Sequence, residues 1–490
     1  MRKYLLLLGT VGIGLAGQTA AAAGLDDLSG QYASNLEELA AKANQATYDD
    51  LLAAGCVDEQ RTATTACSGT TYIVFQNARE LVHTANDLAN NGGPTQYSLG
   101  LDLQGLGFAL RWTSGEEFAA QGSLSNNFVN GQLSGLASRI TALRYGARGF
   151  MLGGYGDFNN VQVAAADLNG QTGGGASADG QWSRWGGFLN ASDSWGDKGP
   201  TQLEDAFDFD GRSLTGGFDY RYSNRLTFGA TVGYQDEKID FDSSLSIVDG
   251  SVKMSGYSIM PFILYQPAPW YVSFSLGYQS MDFDTRRVIS YPSLNPDVPS
   301  VDTTALSSTS ADVYSAFSTI GYSFSSGPFS LEPYMSADYR NIEIDGYREA
   351  DIKNDGHDFV VDSQSIDSLE GVYALRCQVT LSNPWGVFVP FVDYQYHKEY
   401  KDGNRTISAK YVGAEQALSA AAAFDLPTDN IDADYEVWAI GVNAVLRGSR
   451  QTTADGPASG GVQGFINYRT YNRIKNYSQD MIAFGLRYEF

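Results

Sequence analysis

The chain has little of the chemistry that enzymes and metal sites use most often. Its 490 residues contain three cysteines and three histidines, and 32 basic residues stand against 56 acidic ones, for a net charge of −24. This shortage of positive charge argues against nucleic acid as a partner, because binding to phosphates depends on clustered cations. The sequence also has no G-x-S-x-G elbow. The composition therefore predicts a protein that is not an enzyme and that needs no cofactor or metal.

Long apolar runs are also missing. Beyond the first residues, no stretch of 18 or more apolar residues predicts a transmembrane helix. The start itself has the form of a secretory signal peptide over residues 1–23: Arg2 and Lys3, an apolar stretch, then small residues up to Ala23. We therefore expect export through the Sec pathway, and any membrane crossing must be made by strands.

The three cysteines divide into a pair and a single residue. Cys56 and Cys67 are close in sequence within an exported region, which predicts one disulfide that staples two helices. Cys377 lies in a strand-like run, where it is interpreted as a small apolar filler rather than a reactive thiol.

Composition divides the rest into three zones: a helical, passenger-like region over 24–150, a Gly-rich connector over 151–181, and a strand-rich region over 182–490. Helical spacing of apolar residues marks "NLEELAAKANQATYDDLLAAGC" and "TTYIVFQNARELVHTANDLANNGG". A third helix is predicted from Ser114, with Glu117 completing a capping box, to Arg144. It has a narrow apolar seam, and at 1.5 Å per residue it is about 45 Å long, enough to cross an outer membrane.

Period-two alternation dominates the third zone. Twelve candidate strands cover residues 182–194, 212–222, 225–236, 250–265, 269–283, 312–324, 328–341, 364–381, 385–398, 433–447, 460–473 and 480–490. Short turns such as "YSNR" and "QPAP" alternate with mostly long connections, a rhythm typical of transmembrane barrels and not expected of a soluble sandwich or solenoid. The predicted fold class is an all-β transmembrane barrel of twelve antiparallel strands with a small N-terminal α-helical region.

The last strand shows the predicted faces most clearly. In "DMIAFGLRYEF", Ile482, Phe484, Leu486, Tyr488 and Phe490 alternate with small or charged residues. We expect the apolar set to face lipid and the other set to face a wet lumen.

Several ordered pieces carry a resemblance to a known family. They are "LASRITALR" (136–144), "EDAFDFDGRSLTGGFDYRYSNRLTFGATVGY" (204–234) and the final "FGLRYEF". Together with the signal peptide and strand count, they make the chain resemble the type V autotransporters, with an unusually short passenger region. The resemblance implies that Phe484, Tyr488 and Phe490 form the C-terminal signal read by the barrel assembly machinery.

The resemblance also implies a location and a function. We expect a monomeric barrel in the lipid bilayer of a Gram-negative outer membrane, with the N-terminal region surface-exposed or periplasmic. The predicted function is display or export of the chain's own N-terminal segment. The alternative is a plugged pore or a loop-based surface-interaction protein without passenger export.

Two features of the resemblance stay open at this stage. The helix 114–144 is expected in the pore, although 37 residues separate it from the first strand and packing with the other helices is the alternative. Some autotransporters cleave themselves at an Asn-Asn pair on the pore helix, and Asn126 and Asn127 lie on the matching segment. The simpler interpretation is that both are ordinary polar helix positions.

Two further site hypotheses come from charged residues. His397 follows Asp393 by four residues, an arrangement that an outer-membrane protease could use as an acid–histidine pair, although a structural role is favoured. The acidic stretches "LEDAFDFDG" and "DEKIDFD" contain carboxylates suited to calcium, but their spacing does not match an EF-hand loop. The favoured interpretation of the two acidic stretches is that they keep extracellular loops soluble.

Overall fold

The structure is a computed structural model that describes residues 24–59, 61–146, 185–223, 225–241, 247–383, 385–401, 405–429, 434–446 and 462–489. Twelve long strands dominate it, one for each strand predicted from the sequence. They are β1 Trp185–Lys198, β2 Phe207–Ser223, β3 Leu226–Phe241, β4 Gly250–Tyr265, β5 Trp270–Tyr291, β6 Val301–Tyr322, β7 Phe329–Ile344, β8 Gln364–Val379, β9 Gly386–Glu399, β10 Asp434–Leu446, β11 Val462–Asn472 and β12 Tyr477–Glu489.

The strands form one closed antiparallel barrel. Each pairs with its neighbour in the chain, and β12 returns to pair with β1 in a register that runs from Gly186 opposite Glu489 to Lys198 opposite Tyr477. Closure gives every strand two hydrogen-bonded neighbours, which is what a sheet needs in a medium without water. The fold class predicted from the sequence is therefore confirmed.

The outer face of the barrel is an apolar band, as the alternation predicted. On β5, Trp270, Val272, Phe274, Leu276 and Tyr278 are 42–53% exposed, and the residues between them point inward. On β12 the exposed residues include Phe484 and Leu486. Among the described helices, none is both long enough and apolar enough to span a membrane.

One end of the barrel carries tight turns and the other carries long connections. Turns of a few residues join β2 to β3, β4 to β5, β6 to β7 and β8 to β9, at what we call the short-turn end. The opposite, long-loop end reaches further than the sequence predicted, because β5 continues to Tyr291 and β6 begins at Val301. The extra residues of β5 and β6 pair with each other beyond the apolar band. They do not face lipid, so they lack the alternating pattern from which the strands were predicted.

Three helices form a cap, defined here as residues 24–112, at the long-loop end. They are α1 (Asn35–Ala53), α2 (Gly69–Ala89) and α3 (Leu103–Trp112). The sequence predicted the first two but not α3, which is ten residues long and contains two glycines that weaken its helical signal. Asp102 begins α3 by accepting a hydrogen bond from the Gly105 amide at 2.8 Å.

The loops of the barrel hold the cap in place. The β7–β8 and β9–β10 connections form a four-stranded antiparallel sheet, the loop sheet, in the order Phe424–Pro427, Thr406–Tyr411, Phe359–Val361 and Tyr347–Arg348. The Tyr411 hydroxyl donates to Asn44 Oδ1 of α1 at 3.0 Å, and Leu294 N donates to Leu99 O at 2.7 Å. Apolar residues of the cap and of the loops share one buried cluster, so the two are a single packed unit.

The fourth helix, α4, spans Glu117–Gly146 and begins three residues later than predicted. The predicted capping box is wrong, because Ser114 Oγ donates to the Arg111 carbonyl at 2.8 Å instead of capping α4. Gly115, with φ at +78°, turns the chain between α3 and α4.

Candidate functional site

The candidate functional site is the lumen, and α4 occupies it. Side chains of α4 meet strands on opposite sides of the barrel: Arg139 pairs with Asp219 of β2, and Arg144 pairs with Glu332 of β7. The Gly135 carbonyl accepts a hydrogen bond from Asn190 of β1 at 3.4 Å. A helix that touches strands all around a closed barrel lies inside it, as the narrow seam and polar faces of α4 led us to expect.

The direction of α4 follows from its two ends. At its start, Phe118 packs edge-on against Tyr347 and Phe359 of the loop sheet. At its other end, the Arg144 guanidinium lies over the Tyr271 ring, one residue from the short turn that begins β5. The helix therefore runs from the long-loop end to the short-turn end, where β1 also begins.

One half of the lumen is apolar, which the sequence did not predict. The seam of α4 packs in one buried cluster with inward-facing residues of β2 to β6 and with the long-loop ends of β7 and β8. The wall residues of this cluster include Phe209, Met254, Phe262, Met281 and Phe283. The wet lumen expected from the last strand does not extend to this side, because the wall here supplies the apolar surface that the helix seam needs to bury.

The other half of the lumen is polar and contains a chamber of about 110 Å³ between α4 and strands β6–β11. Arginines from the wall reach across to the helix: Arg340 Nη1 donates to Asn130 Oδ1 at 2.9 Å, and Arg376 Nη1 donates to Thr141 Oγ1 at 2.9 Å. Each arginine also contacts a carboxylate of the wall, Asp338 or Asp393. Such pairing is what buried charges require.

The Asn126–Asn127 pair lies on α4 in the lumen. Asn127 Nδ2 donates to Glu237 Oε1 at 2.6 Å, and Asn127 Oδ1 accepts from the Tyr477 hydroxyl at 3.2 Å. Asn126 Nδ2 donates back to the Gly122 carbonyl at 3.1 Å, along the helix. These bonds fit polar positions that anchor the helix to β3 and β12, and cleavage at this pair stays a prediction.

The histidines have other partners than those an acid–histidine catalyst would need. His397 contacts Glu370 at 2.6 Å and Gln395 at 3.0 Å, while Asp393 is held by Arg376 and by the Tyr334 hydroxyl. The Asp393–His397 pair, the less favoured of the two hypotheses, is therefore not formed, and the contacts of His397 fit the structural role that the sequence favoured. Asp393 and His397 share a face of β9 because they are four residues apart. Each of them nevertheless contacts a side chain of strand β7 or β8, which lies closer than the two residues lie to each other.

His83 and His357 are buried outside the membrane. His83 Nε2 lies 3.0 Å from Asp58 Oδ1, and its Nδ1 accepts from the Tyr97 amide, so both ring nitrogens are used. Burial lowers the pKa of His357 to about 4, with the nearby Arg287 adding to the effect. Among the described residues, no group of three or more His, Cys, Asp or Glu side chains could hold a metal ion.

The acidic stretches considered for calcium lie in and around β2 and β3. Asp205 Oδ2 accepts hydrogen bonds from the amides of Ile247 and Val248 at 2.6 and 3.1 Å, so this carboxylate holds the β3–β4 connection. Lys198 contacts Glu204 beside it. These contacts give the carboxylates a structural role that their sequence spacing alone did not indicate.

The remaining predicted residues fall in different places. Cys56 and Cys67 are joined by a disulfide in the segment between α1 and α2, with Cα atoms 4.9 Å apart. Phe484 is 56% exposed on the outer face of β12, and Tyr488 lies on the same strand. Phe490 lies outside the described residues, and so do residues 1–23 of the predicted signal peptide and the connector 151–181.

Sequence reasoning missed the residues that seal the lumen under the cap. Arg405, from the β9–β10 loop, donates through Nη2 to the Ala119 carbonyl of α4 at 3.1 Å. Arg287 of β5 donates to Glu349 and to the His357 carbonyl. The contacts of Arg405 and Arg287 join segments that are far apart in the chain. A local sequence pattern therefore cannot predict them.

A barrel with a helix threaded through its lumen is the arrangement that the sequence resemblance implied. A family model described as the autotransporter beta-domain matches residues 187–456, more than half of the chain. The chain belongs to the autotransporter family. It is therefore an outer-membrane β-barrel of the translocator type.

Individual relatives of this autotransporter are distant. Esterase EstA of Pseudomonas aeruginosa and its counterpart in Pseudomonas putida are each 24% identical over 236 residues, which is 46% of this chain. The chain spans about a third (33%) of the length of these curated relatives.

Solved translocator structures are similarly distant. The NalP translocator domain of Neisseria meningitidis matches 74% of this chain and 98% of its own, with 13% identity and a TM-score of 0.47. The β-domain of Bordetella BrkA matches 62% of this chain and 99% of its own, with 14% identity and a TM-score of 0.39.

Proposed function

We propose that this autotransporter translocates its own N-terminal cap to the cell surface and then remains closed around α4. The observation that carries the proposal is the path of the chain. The cap lies at the long-loop end, α4 runs through the lumen, and β1 begins at the short-turn end. In outer-membrane barrels the long loops are extracellular and the short turns periplasmic. A chain delivered to the periplasm must pass its cap through or beside the barrel to reach this arrangement.

The mechanism requires no catalysis by the chain. The free energy of display comes from burying apolar surface, first along α4 in the lumen and then between cap and loops. The ring hydrogen bonds of His83 and His397 go to Asp58, the Tyr97 amide, Glu370 and Gln395, and neither ring nitrogen of His357 has a partner within the described residues, so none of these bonds goes to a serine or cysteine nucleophile. An esterase activity, which the EstA relatives suggest by name, therefore has no nucleophile–base pair in the described part of the chain.

The runner-up function is a plugged pore or surface-interaction protein that exports nothing beyond itself. The packing of the cap onto the loop sheet favours it over release of a free passenger. Display and plugging are compatible, since a cap that has crossed once can stay as the outer closure. The partners we propose are the lipid bilayer, the Sec pathway and the barrel assembly machinery, with a monomeric barrel as the working unit.

An epitope inserted at two places tests the orientation. One insertion lies between Thr62 and Ala63, in the exposed loop of the cap, and the control lies at Gly327, in the β6–β7 short turn. On intact cells we expect antibody or protease to reach the cap insertion and not the turn, and both after the outer membrane is permeabilised. Access to the turn alone would place the cap in the periplasm and would overturn the proposal.

Deletion of Phe490 tests the proposed assembly signal, which includes Phe484 and Tyr488. We expect this deletion to lower the amount of protein inserted in the outer membrane, measured by heat-modifiable mobility in a gel. The control is Gln479→Ser in the same strand, which should insert normally. Unchanged insertion would remove Phe490 from the signal.

A further inference from the structure

A second, smaller cavity in the lumen differs in composition from the larger chamber. It lies between α4 and strands β8–β11, with a volume of about 20 Å³. Its polar lining consists of Arg376, Arg469, Asn443, Asn467, Ser138 and Thr141. Among the described residues that line it, none has a carboxylate, although acidic residues outnumber basic ones in the chain as a whole.

Several polar atoms beside this cavity lack a hydrogen-bond partner within the described part of the chain. They are Arg469 Nε, Asn443 Nδ2 and Asn467 Oδ1, all three shielded from solvent. An asparagine side chain can be turned so that its nitrogen takes the place of its oxygen, which would make Asn467 a third donor. Leaving such groups unsatisfied in a buried site is costly, so the cavity is built for an occupant that accepts hydrogen bonds.

The two arginines differ in how their charge is balanced. Arg376 contacts Asp393 through Nε and Nη2, which leaves Nη1 to reach Thr141. Among the described residues, Arg469 hydrogen-bonds the side chain of Tyr471 and forms no direct ion pair, although it also lines the larger chamber together with Asp338 and Glu370. The cavity therefore has one positive charge on its wall that no described carboxylate contacts directly.

We propose that this cavity is a binding site for a small monovalent anion of the size of chloride, which joins α4 to the barrel wall. The volume exceeds the roughly 10–15 Å³ that holds one water, so the cavity has room for a small ion. Phe391 and Phe465 complete the wall, and the Arg376 guanidinium lies 5.1 Å from the centre of the Phe391 ring. A bound anion accepts from Arg469 and Asn443 on the wall while Ser138 and Thr141 of α4 offer hydroxyl donors from the other side.

The consequence is a plug whose stability depends on halide. Without the anion, the Arg469 charge faces a gap beside α4; with it, the helix and β10–β11 share one counterion. This inference goes beyond the proposed export function and does not depend on it, since the site concerns the assembled barrel. The competing occupant is a single water molecule. With water in the cavity, the stability of the barrel would be the same in chloride and in gluconate.

The experiment uses the purified full chain in detergent, with thermal unfolding followed at constant ionic strength and pH. Chloride and bromide are each exchanged for gluconate, which is too large for the cavity. We expect the unfolding temperature to rise with halide concentration and to saturate. In Arg469→Gln the halide concentration at half-effect should increase at least about tenfold, because a hydrogen bond to a charged group contributes roughly one to two decades to an equilibrium constant.

The matched control is Arg473→Gln, which removes an arginine just beyond β11 that is 73% exposed and pairs with Glu436 at 2.7 Å. This variant should keep the halide response of the natural protein. Asn443→Asp is the second variant, since it places a carboxylate in the cavity with little change of shape and should abolish the response even if Arg469→Gln does not fold. A bromide-soaked crystal should show anomalous density between Arg469 and Thr141. Equal stability in chloride and gluconate, or equal loss in Arg473→Gln, would overturn the proposal.

Discussion

At the scale of single residues, the lumen is held by ion pairs that water barely reaches. Arg144 and Glu332 have side chains that are 6% and 1% exposed, and Glu332 also accepts from the Tyr271 hydroxyl at 3.1 Å. Arg144 lies in the last turn of α4, where the helix dipole also favours a cation. The pair fixes the position of the helix more than it adds stability, because burial of both charges offsets much of their attraction.

We expect Glu332→Gln to destabilise the barrel by about 3 kcal/mol, since it leaves the Arg144 charge buried without its counterion. Arg144→Gln should cost a similar amount, and the double variant should cost less than the sum of the two. Thermal unfolding in detergent, read as heat-modifiable gel mobility, measures all three in a double-mutant cycle. Additive losses would show that the two side chains do not act as a pair.

A second residue-scale prediction concerns pH. Burial raises the pKa of Glu80 in α2 to about 8, and the neighbouring Arg79 opposes the shift only in part. Since the folded pKa lies above the unfolded value near 4.5, the folded state holds the proton more tightly than the unfolded state between these values. Stability that is present below about pH 4.5 is therefore lost progressively up to about pH 8, at about 1.4 kcal/mol for each unit of pKa difference.

Glu80→Gln should remove this dependence, because the amide does not ionise. We expect the difference in unfolding temperature between Glu80→Gln and the natural chain to grow as the pH is raised from 5 to 8. Comparing the two proteins at each pH cancels the other titrating groups, His357 among them. A difference that stays constant across this range would contradict the assignment.

At the scale of elements, sequence pattern predicted the barrel better than its contents. Every strand was predicted because lipid imposes strict alternation on one face, as Phe274 and Leu276 of β5 illustrate. The inward face has no such constraint, so Met254 and Phe262 gave no sign that they pack on α4. The loop sheet was missed for a related reason: its strands are two to six residues long and form only against the cap.

The docking of the loop sheet on the cap can be tested through one hydroxyl. Tyr411→Phe keeps the ring but removes the donor to Asn44 Oδ1, and we expect a loss of about 1–2 kcal/mol with faster protease cleavage of the β9–β10 loop. The control is Tyr278→Phe on the exposed face of β5, whose hydroxyl donates to Asp312 of β6 at 2.9 Å, away from this loop. Equal cleavage rates for the two variants would show that the hydroxyl bond does not hold the loop.

At the scale of the whole molecule, the cap and α4 close the barrel at two levels. The cap covers the long-loop end through its shared core with the loops, and α4 fills the lumen below it. The two closures rest on different residues, so removing one does not by itself remove the other. The family resemblance predicted a helix in the pore, whereas the outer closure depends on contacts between distant segments, such as Tyr411 to Asn44, that no local pattern marks.

Two deletions separate these closures by ion conductance in planar bilayers. Removing residues 25–112 takes away the cap but leaves α4, and we expect only a small increase, because the seam of α4 stays buried against β2–β6. Removing residues 114–144 takes the helix from the lumen and should give a large, ohmic conductance, since a twelve-stranded barrel is wider than the side chains that would fill it. Heat-modifiable mobility checks that both variants fold as barrels. A large conductance after loss of the cap alone would show that α4 needs the cap to stay in the lumen. An unchanged conductance after loss of the helix would show that α4 does not seal the barrel.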